Sequence, residues 1–113
     1  MTSYKRGDIV LVSFIFSDET GAKQRPALIV SADTYNNARQ EIIISAITSR
    51  TDRILTGDYL VKNWKAAGLL APSVVTGIVR TIKQSMIVRK LGTMSSSDLK
   101  EIDKNLRVIL QLV

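Results

Sequence analysis

The sequence predicts a mainly β fold, a small barrel of short strands with an amphipathic helix packed against it at the end of the chain. Short segments rich in isoleucine and valine, separated by glycine and other turn residues, recur up to Gly92, which is typical of a small barrel. With 113 residues, 45% of them hydrophobic, the chain fits one folded domain covering residues 1–113. Ser95 and Asp98 have the spacing of a helix start, and apolar residues then recur at helical spacings of three and four: Leu99, Ile102, Leu106, Ile109, Leu110 and Val113.

Three strands are predicted in the first half of the chain. Ile9–Phe16 is apolar at successive positions, as in a strand buried on both sides, and the polar segment Ser17–Gln24 is predicted to be a loop. Pro26–Val30 is the second strand, with Pro26 at its first position because proline has no N–H to donate to a β-ladder. Ser31–Ala38 is predicted to form one or two helical turns, and Glu41–Ile47 is the third strand.

The second half of the chain contains the remaining strands. Asp58–Val61 is a short strand, and Lys62–Gly68 is a helical turn that ends at Gly68. Pro72–Thr76 and Ile78–Ile82 are two strands, or one strand bent at the glycine between them. Met86–Leu91 is the last strand before the final helix.

The composition excludes several classes of chemistry. The sequence has no cysteine and no histidine, which rules out disulfides, thiolate metal clusters, histidine acid–base pairs and Ser-His-Asp arrangements. No carboxylate cluster has the spacing of metal ligands, so we expect neither a metal nor another cofactor. We find no apolar segment of signal-peptide length near Met1 and no apolar run of about 20 residues, which predicts a cytoplasmic protein with no membrane partner.

The charge of the chain points to an acidic partner. The net charge of +6 and the isoelectric point of about 9.9 indicate either a nucleic-acid binder or a basic surface that binds nothing. Because the positive residues are dispersed, they favour a groove or patch over a disordered arm. Trp64, the only tryptophan, either stacks on bases or covers the barrel, and the apolar area that it can bury favours the second role.

Three segments at strand ends carry candidate site residues. Arg25 follows a loop at the mouth of a strand, where a guanidinium can clamp a phosphate, or it forms a surface ion pair with Asp8 or Glu19. The segment Thr48-Ser49-Arg50 leaves a buried strand, where sites are commonly built, or it is an ordinary strand-ending turn. The third segment is a basic cluster or a solvated strand face, and comprises Arg80, Lys83, Arg89 and Lys90.

Five short motifs occur in a fixed order: Gly7–Val12, Gly21–Ser31 with its Arg25-Pro26 pair, Ile47–Ser49, Arg80–Ile82 and Lys90–Ser95. In order and spacing they resemble the MazF/PemK/Kid family of toxin–antitoxin endoribonucleases. The resemblance runs from about Lys5 to the end of the chain. Each motif is weak evidence alone, and their joint occurrence in a chain of this length is what makes the resemblance specific.

The resemblance implies an SH3-like barrel of the MazF/PemK/CcdB kind, a two-fold homodimer, and metal-independent cleavage of single-stranded RNA by the toxin of a type II system. In this reaction the RNA 2′-hydroxyl attacks, leaving a cyclic phosphate and a free 5′-hydroxyl. Arg25 and Thr48 match the family's catalytic arginine and threonine; Arg25 would stabilise the transition state and protonate the leaving oxygen, and Thr48 would bind the phosphate. The residues expected to contact RNA are Asp18, Glu19, Lys23, Ser49, Arg50 and Arg80.

Further roles follow from the same resemblance. Asp18 or Glu19 is a candidate general base. The implied protein partner is a small acidic antitoxin, through which operator DNA would also be reached. Many relatives carry an acidic residue and a glutamine where this chain has Gly77 and Ile78, and aspartate where it has Lys83. These departures leave the RNA sequence preference, and the activity itself, open.

Two alternatives from other functional classes remain at this point. One is an inactive barrel that serves as an RNA- or protein-binding module. The other is a gyrase-poisoning toxin of the same fold, although this chain ends in Leu110–Val113 without the tryptophan-containing ending of that toxin.

Overall fold

The computed structural model describes residues 3–15 and 21–113, and these residues form a mainly β fold, as predicted. The strands are β1 (Asp8–Ile15), β2 (Ala22–Ile29), β3 (Glu41–Thr48), β4 (Tyr59–Leu60), β5 (Val74–Lys83) and β6 (Ile87–Thr93). The helices are α1 (Asp33–Ala38) and α2 (Ser96–Leu110). The strands form one antiparallel sheet in the order β4-β5-β3-β2-β1-β6.

The connection from β5 to β6 curls this sheet into the predicted barrel. The two strands are separated by β3, β2 and β1 in the sheet, which in a flat sheet is about 19 Å at about 4.8 Å per strand. They are joined only by the 3-10 turn Gln84–Met86, and three residues at about 2 Å each cannot span that distance. The same turn contacts β1, so the sheet curls until the end of β5 and the start of β6 lie close together.

The core lies on both faces of the curled sheet. Neighbouring residues on one strand, such as Ile9 and Val10 or Ala27 and Leu28, belong to two different buried clusters, because successive side chains of a strand point to opposite faces. The first cluster lies under α2 and includes Ile102. The second lies on the opposite face of the sheet and consists of Val10, Val12, Ala27, Ile29, Ile42, Ile44 and Ile82.

Helix α2 begins as its sequence predicts. Ser95 is the N-cap, and its Oγ accepts a hydrogen bond from the backbone N–H of Asp98 (3.2 Å), which satisfies one of the free N–H groups of the first turn. The helix ends at Leu110, three residues before the end of its apolar repeat, because Gln111 adopts a left-handed conformation (φ 55°).

The second strand is longer than predicted. β2 begins at Ala22 rather than at Pro26, so Pro26 is an interior residue paired with Leu11 of β1. The prediction was wrong because proline is excluded only where its N–H is needed. β2 pairs with β3 only from Ala27 onward, so at Pro26 the strand is free on that side and a proline is tolerated.

The predicted helical turn after β4 is present: the N–H of Ala67 donates to the carbonyl of Asn63 (3.1 Å), a single α-turn, and the turn ends at Gly68 as expected. Two other predicted elements in the second half differ in detail. β5 is one strand, and its register against β3 shifts at the level of Gly77, so the predicted bend is a β-bulge. β6 continues through Gly92 to Thr93.

Candidate functional site

An open pocket of about 1350 Å³ lies where β2 separates from β3. β2 pairs with β1 over seven residues but with β3 over only three. Ahead of Ala27 the two strands diverge, and Arg25 of β2 and Thr48 of β3 line the opening between them. The sequence therefore creates the pocket by ending a β-ladder early, and the side chains at the ladder's end face it.

Three arginines line this pocket, which we call the arginine pocket: Arg25, Arg80 and Arg89. Within the described part of the chain, no aspartate or glutamate lines it. Each guanidinium is charged at any physiological pH, and like charges beside low-dielectric walls focus a positive potential. The pocket is therefore suited to an anionic ligand.

Arg25 is exposed and carries no ion pair to any residue that the structure describes. Among the described residues, its guanidinium donates only a long hydrogen bond to the carbonyl of Gln24 (3.4 Å). The alternative pairing with Asp8 is wrong, because that buried carboxylate is bound by Lys90 Nζ (3.1 Å) and the backbone N–H of Lys5 (2.9 Å). Glu19, the other proposed partner, lies outside the described residues. Arg25 thus lines the pocket, and the described residues leave most of its donors unused.

Thr48 and Ser49 lie on the opposite wall of the pocket, at the end of β3. Thr48 is half-buried, and its Oγ1 accepts a hydrogen bond from the backbone N–H of Arg50 (3.1 Å). This bond fixes the turn that follows the strand and orients the hydroxyl. An accepting hydroxyl keeps its hydrogen, so Thr48 can still donate to a ligand in the pocket.

Arg80 contacts an aromatic ring, and no carboxylate in the described part of the chain forms an ion pair with it. Its guanidinium carbon is 4.9 Å from the centre of the Phe14 ring, a cation–π contact. This contact positions the charge without neutralising it. Phe14 itself lines the pocket beside Arg80.

Arg89 was not among the predicted site residues, although the sequence placed it in a basic cluster. It pairs with Leu11 across the β1–β6 ladder, next to a register shift between Leu11 and Val12. Strand alternation alone does not assign a side chain beside a β-bulge to one face. In the sequence, only the basic pair Arg89-Lys90 indicated a site at this position. In the structure the two residues have different roles, because Lys90 binds Asp8 whereas Arg89 lines the pocket.

Two of the predicted RNA contacts that the structure describes, Arg50 and Lys23, do not line the pocket. Arg50 forms an exposed ion pair with Asp52 (3.0 Å) and does not line the pocket, and neither does the exposed Lys23. Asp18 and Glu19 lie outside the described residues. Trp64 packs against the first core cluster, which confirms that it covers the barrel.

One wall of the pocket is formed by the segment between β4 and β5, residues 61–73. A buried carboxylate anchors the first part of this segment. Asp98, only 1% exposed, accepts hydrogen bonds from Tyr59 Oη (2.6 Å) and from the backbone N–H groups of Asn63 (2.9 Å) and Lys62 (3.2 Å). Burial opposes ionisation of Asp98, but these bonds outweigh it and lower its pKa. Burial, and then the bond to Asp98, raise the pKa of Tyr59. The carboxylate therefore ties this segment to the start of α2.

The same segment is fixed at its far end by two glycines. A Cβ on Gly68 would collide with the carbonyl of Leu91, and one on Gly92 with that of Ala67. Gly68 also has a φ of +88°, which side chains other than glycine rarely tolerate. The backbone beyond Gly68 is thus pressed onto β6 and held against the pocket.

Two further properties concern the described residues as a whole. None of their helices is long and apolar enough to cross a membrane. Within residues 3–15 and 21–113, the acidic side chains form no group of three or more that could hold a metal ion.

Solved structures of toxins share this fold. A MazE–MazF complex from Deinococcus radiodurans has 19% identity, each chain is covered over 100% of its length, and the TM-score is 0.84. An endoribonuclease in complex with its cognate antitoxin, from a mycobacterial species, has 19% identity with 97% of both chains covered and a TM-score of 0.78. The Mycobacterium tuberculosis toxin MazF-mt6 has 23% identity over 94% of this chain and 98% of its own, with a TM-score of 0.76.

The sequence also matches a family model directly. The model describes PemK-like, MazF-like toxins of type II toxin–antitoxin systems, and it matches residues 5–110. The match includes every strand and helix of the described structure, in agreement with the resemblance inferred from the motifs. The chain belongs to the PemK-like, MazF-like toxin family of type II toxin–antitoxin systems.

Proposed function

We propose that this toxin is an endoribonuclease that cleaves single-stranded RNA in the arginine pocket. The observation that carries the proposal is the grouping of three arginines and a threonine hydroxyl in one open pocket that no described carboxylate lines. This arrangement suits a phosphodiester, because guanidinium groups bind phosphate oxygens bidentately. The structural neighbours described as endoribonucleases support the same activity.

The reaction that fits these residues uses the RNA as its own nucleophile. The 2′-hydroxyl oxygen bonds to phosphorus as the bond from phosphorus to the 5′ oxygen breaks, giving a cyclic phosphate and a 5′-hydroxyl. The 2′ proton passes to a base, for which Asp18 and Glu19 are the candidates, and the 5′ oxygen takes up a proton. Arg25 stabilises the charge on the phosphorane oxygens and is the candidate donor of that proton, and Thr48 donates a hydrogen bond to a phosphate oxygen.

The proposal requires no metal ion. In a metal-dependent nuclease, a divalent cation neutralises the negative charge on the phosphate oxygens. Here the guanidinium groups of Arg25, Arg80 and Arg89 balance that charge. Because the sequence lacks cysteine and histidine, the protein also lacks the usual ligands for a transition metal.

The proposed partners follow from the charge of the pocket. A small acidic antitoxin would occupy the surfaces of Arg25 and Arg80 and exclude RNA by competition, and operator DNA would be reached through that antitoxin. Neighbouring structures that contain a cognate antitoxin or MazE support this partner. We place the toxin in the cytoplasm, where its RNA substrate is found.

We also propose that the active unit is a homodimer. Four apolar side chains at the end of the chain are half-exposed or more: Val108, Leu110, Leu112 and Val113. A second copy would cover them, and two-fold dimers are the commonest soluble oligomers. Sedimentation at micromolar concentration should give about twice the mass of one chain; a monomer that cuts RNA at full rate contradicts the dimer.

The experiment that tests the activity is cleavage of a long, weakly structured RNA with analysis of the new ends. We expect 5′-hydroxyl and cyclic-phosphate ends at a limited set of sequences. Ends carrying a 5′-phosphate would contradict the 2′-hydroxyl mechanism. Binding of RNA without any cleavage would identify the chain as the inactive binding module instead.

A further inference from the structure

A leucine at the edge of the arginine pocket is fully exposed. Leu70 has a relative exposure of 100%, whereas Leu69 before it is buried at 7%. Leu70 lines the arginine pocket. A fully exposed leucine gains nothing from folding, so the side chain of Leu70 is available to a ligand in the pocket beside it.

This exposure does not result from a loose loop. Before Leu70, Gly68 packs its backbone against β6. After it, the buried Ser73 donates from Oγ to the carbonyl of Ala71 (2.8 Å), and the carbonyl of Ser73 accepts from Val61 N–H (3.0 Å). The backbone is thus fixed on both sides of Leu70, and its side chain is presented in a defined place.

A second exposed aliphatic side chain enters the same pocket from the bulge in β5. Ile78 is 61% exposed and lines the pocket. The bulge is held by Thr76 Oγ1, which donates to the carbonyl of Ala46 (2.8 Å), and by the N–H of Gly77, which donates to Asp58 Oδ1 (2.9 Å). Leu70 and Ile78 together are called the apolar rim below.

We propose that the apolar rim is a base-binding subsite, against which a nucleobase of the RNA packs while the arginines hold the adjoining phosphate. The inference rests on the proposed function and adds a specificity-determining surface to it. A nucleotide carries an anionic phosphate and a flat, largely apolar base in one unit. The pocket offers both complements, three guanidinium groups and two exposed aliphatic side chains, and the lining contributed by described residues holds no carboxylate that would repel the phosphate.

The test measures separately how much the base and the phosphate contribute to binding affinity. Binding to the full-length protein is measured by fluorescence anisotropy with two probes of equal length. One is a 2′-O-methyl RNA of mixed sequence, which cannot be cleaved because its 2′ oxygen is blocked; the other is an abasic sugar–phosphate chain. Leu70→Ala is compared with wild type and with Leu60→Ala, a matched leucine variant at a half-exposed position outside the pocket.

We expect Leu70→Ala to weaken binding of the base-bearing probe about five- to tenfold, the effect of losing part of a buried leucine contact. Its affinity for the abasic chain should stay at the wild-type value, and Leu60→Ala should change neither affinity. Circular dichroism and melting temperature should be unchanged, because Leu70 makes no buried contact. On natural RNA, Leu70→Ala should also redistribute cleavage among sites that differ in the flanking base.

Three results would overturn the proposal. Equal losses on both probes would mean that Leu70 acts through the pocket's shape or charge. No loss on either would mean that the rim contacts no base. Weaker binding of an alternating glutamate–leucine peptide, with unchanged binding of the RNA probe, would assign the rim to a protein partner. Failure of wild-type protein to cut natural RNA would remove the proposed function, while the two-probe comparison would still decide whether the rim binds bases.

Discussion

Replacing Arg25 with alanine should leave the stability of this protein almost unchanged but greatly reduce the proposed rate of RNA cleavage. In the folded state the Arg25 side chain is exposed, and within residues 3–15 and 21–113 it makes one long hydrogen bond, to a neighbouring carbonyl (3.4 Å). Loss of such a side chain should change the free energy of unfolding by less than about 0.5 kcal/mol. In the transition state, one well-placed donor to a developing oxyanion is worth about 3 kcal/mol, which corresponds to a loss of roughly 150-fold in the rate of cleavage.

The assay compares single-turnover cleavage of one RNA by wild type, Arg25→Ala and Arg53→Ala. Arg53 is exposed and lies outside the arginine pocket, so the control removes the same charge from a different place. We expect Arg53→Ala to cleave within about threefold of wild type, the size of a weak long-range charge effect. If Arg25→Ala cleaves as fast as Arg53→Ala, or if it melts well below wild type, the assignment of Arg25 to the transition state is refuted.

Three further perturbations test the site and the segment that supports it. Thr48→Ala should slow cleavage by about tenfold, less than Arg25→Ala, because a neutral donor is weaker than a charged one; an equal or larger loss would reverse the assigned roles. Cleavage should persist in excess EDTA and fall steeply with added salt, and activity that EDTA abolishes and magnesium restores would contradict the metal-free mechanism. Asp98→Asn should lower the free energy of unfolding by about 2 kcal/mol at pH 7. Because the folded state lowers the pKa of Asp98, its ionised form contributes stability above the ordinary carboxyl pKa of about 4, and this contribution is lost as the pH falls through the lowered value. The difference between Asp98→Asn and wild type, measured by urea unfolding, should therefore shrink below about pH 4; a constant difference down to pH 2 would contradict this account.

Sequence patterns predicted most of the fold because local rules agree with the tertiary structure over most of the chain. The start of α2 follows from a serine cap and an apolar repeat, both of which are local features. Pro26 was assigned wrongly because the rule against proline depends on which side of the strand is paired, and that is decided by the distant strand β3. The helical turn that ends at Gly68 was predicted from its local sequence, whereas its anchoring by Asp98, more than thirty residues away, was not.

The candidate site was predictable to a smaller extent. Arg25 and Thr48 were found because they lie in short motifs that resemble a known family, and the structure places both on one pocket. Arg89 and Leu70 could not be found in that way. Arg89 faces the pocket beside a register shift, and Leu70 does so because Gly68 and Gly92 bring two distant backbones together. Neither arrangement leaves a local pattern in the sequence.

The placement of the pocket explains how this fold can keep its architecture while its ligand contacts vary. Arg25, Arg89 and Ile78 lie where ladders end or shift register, whereas the second core cluster lies on regularly paired parts of the same sheet. Side chains at ladder ends are solvated, so their replacement costs little stability. Leu70 and Ile78 can therefore change without disturbing the barrel, and solved relatives share the fold at about 20% identity. Under the function proposed above, base preference would be set by rim residues that folding does not constrain, and the phosphate contacts by the arginines beside them.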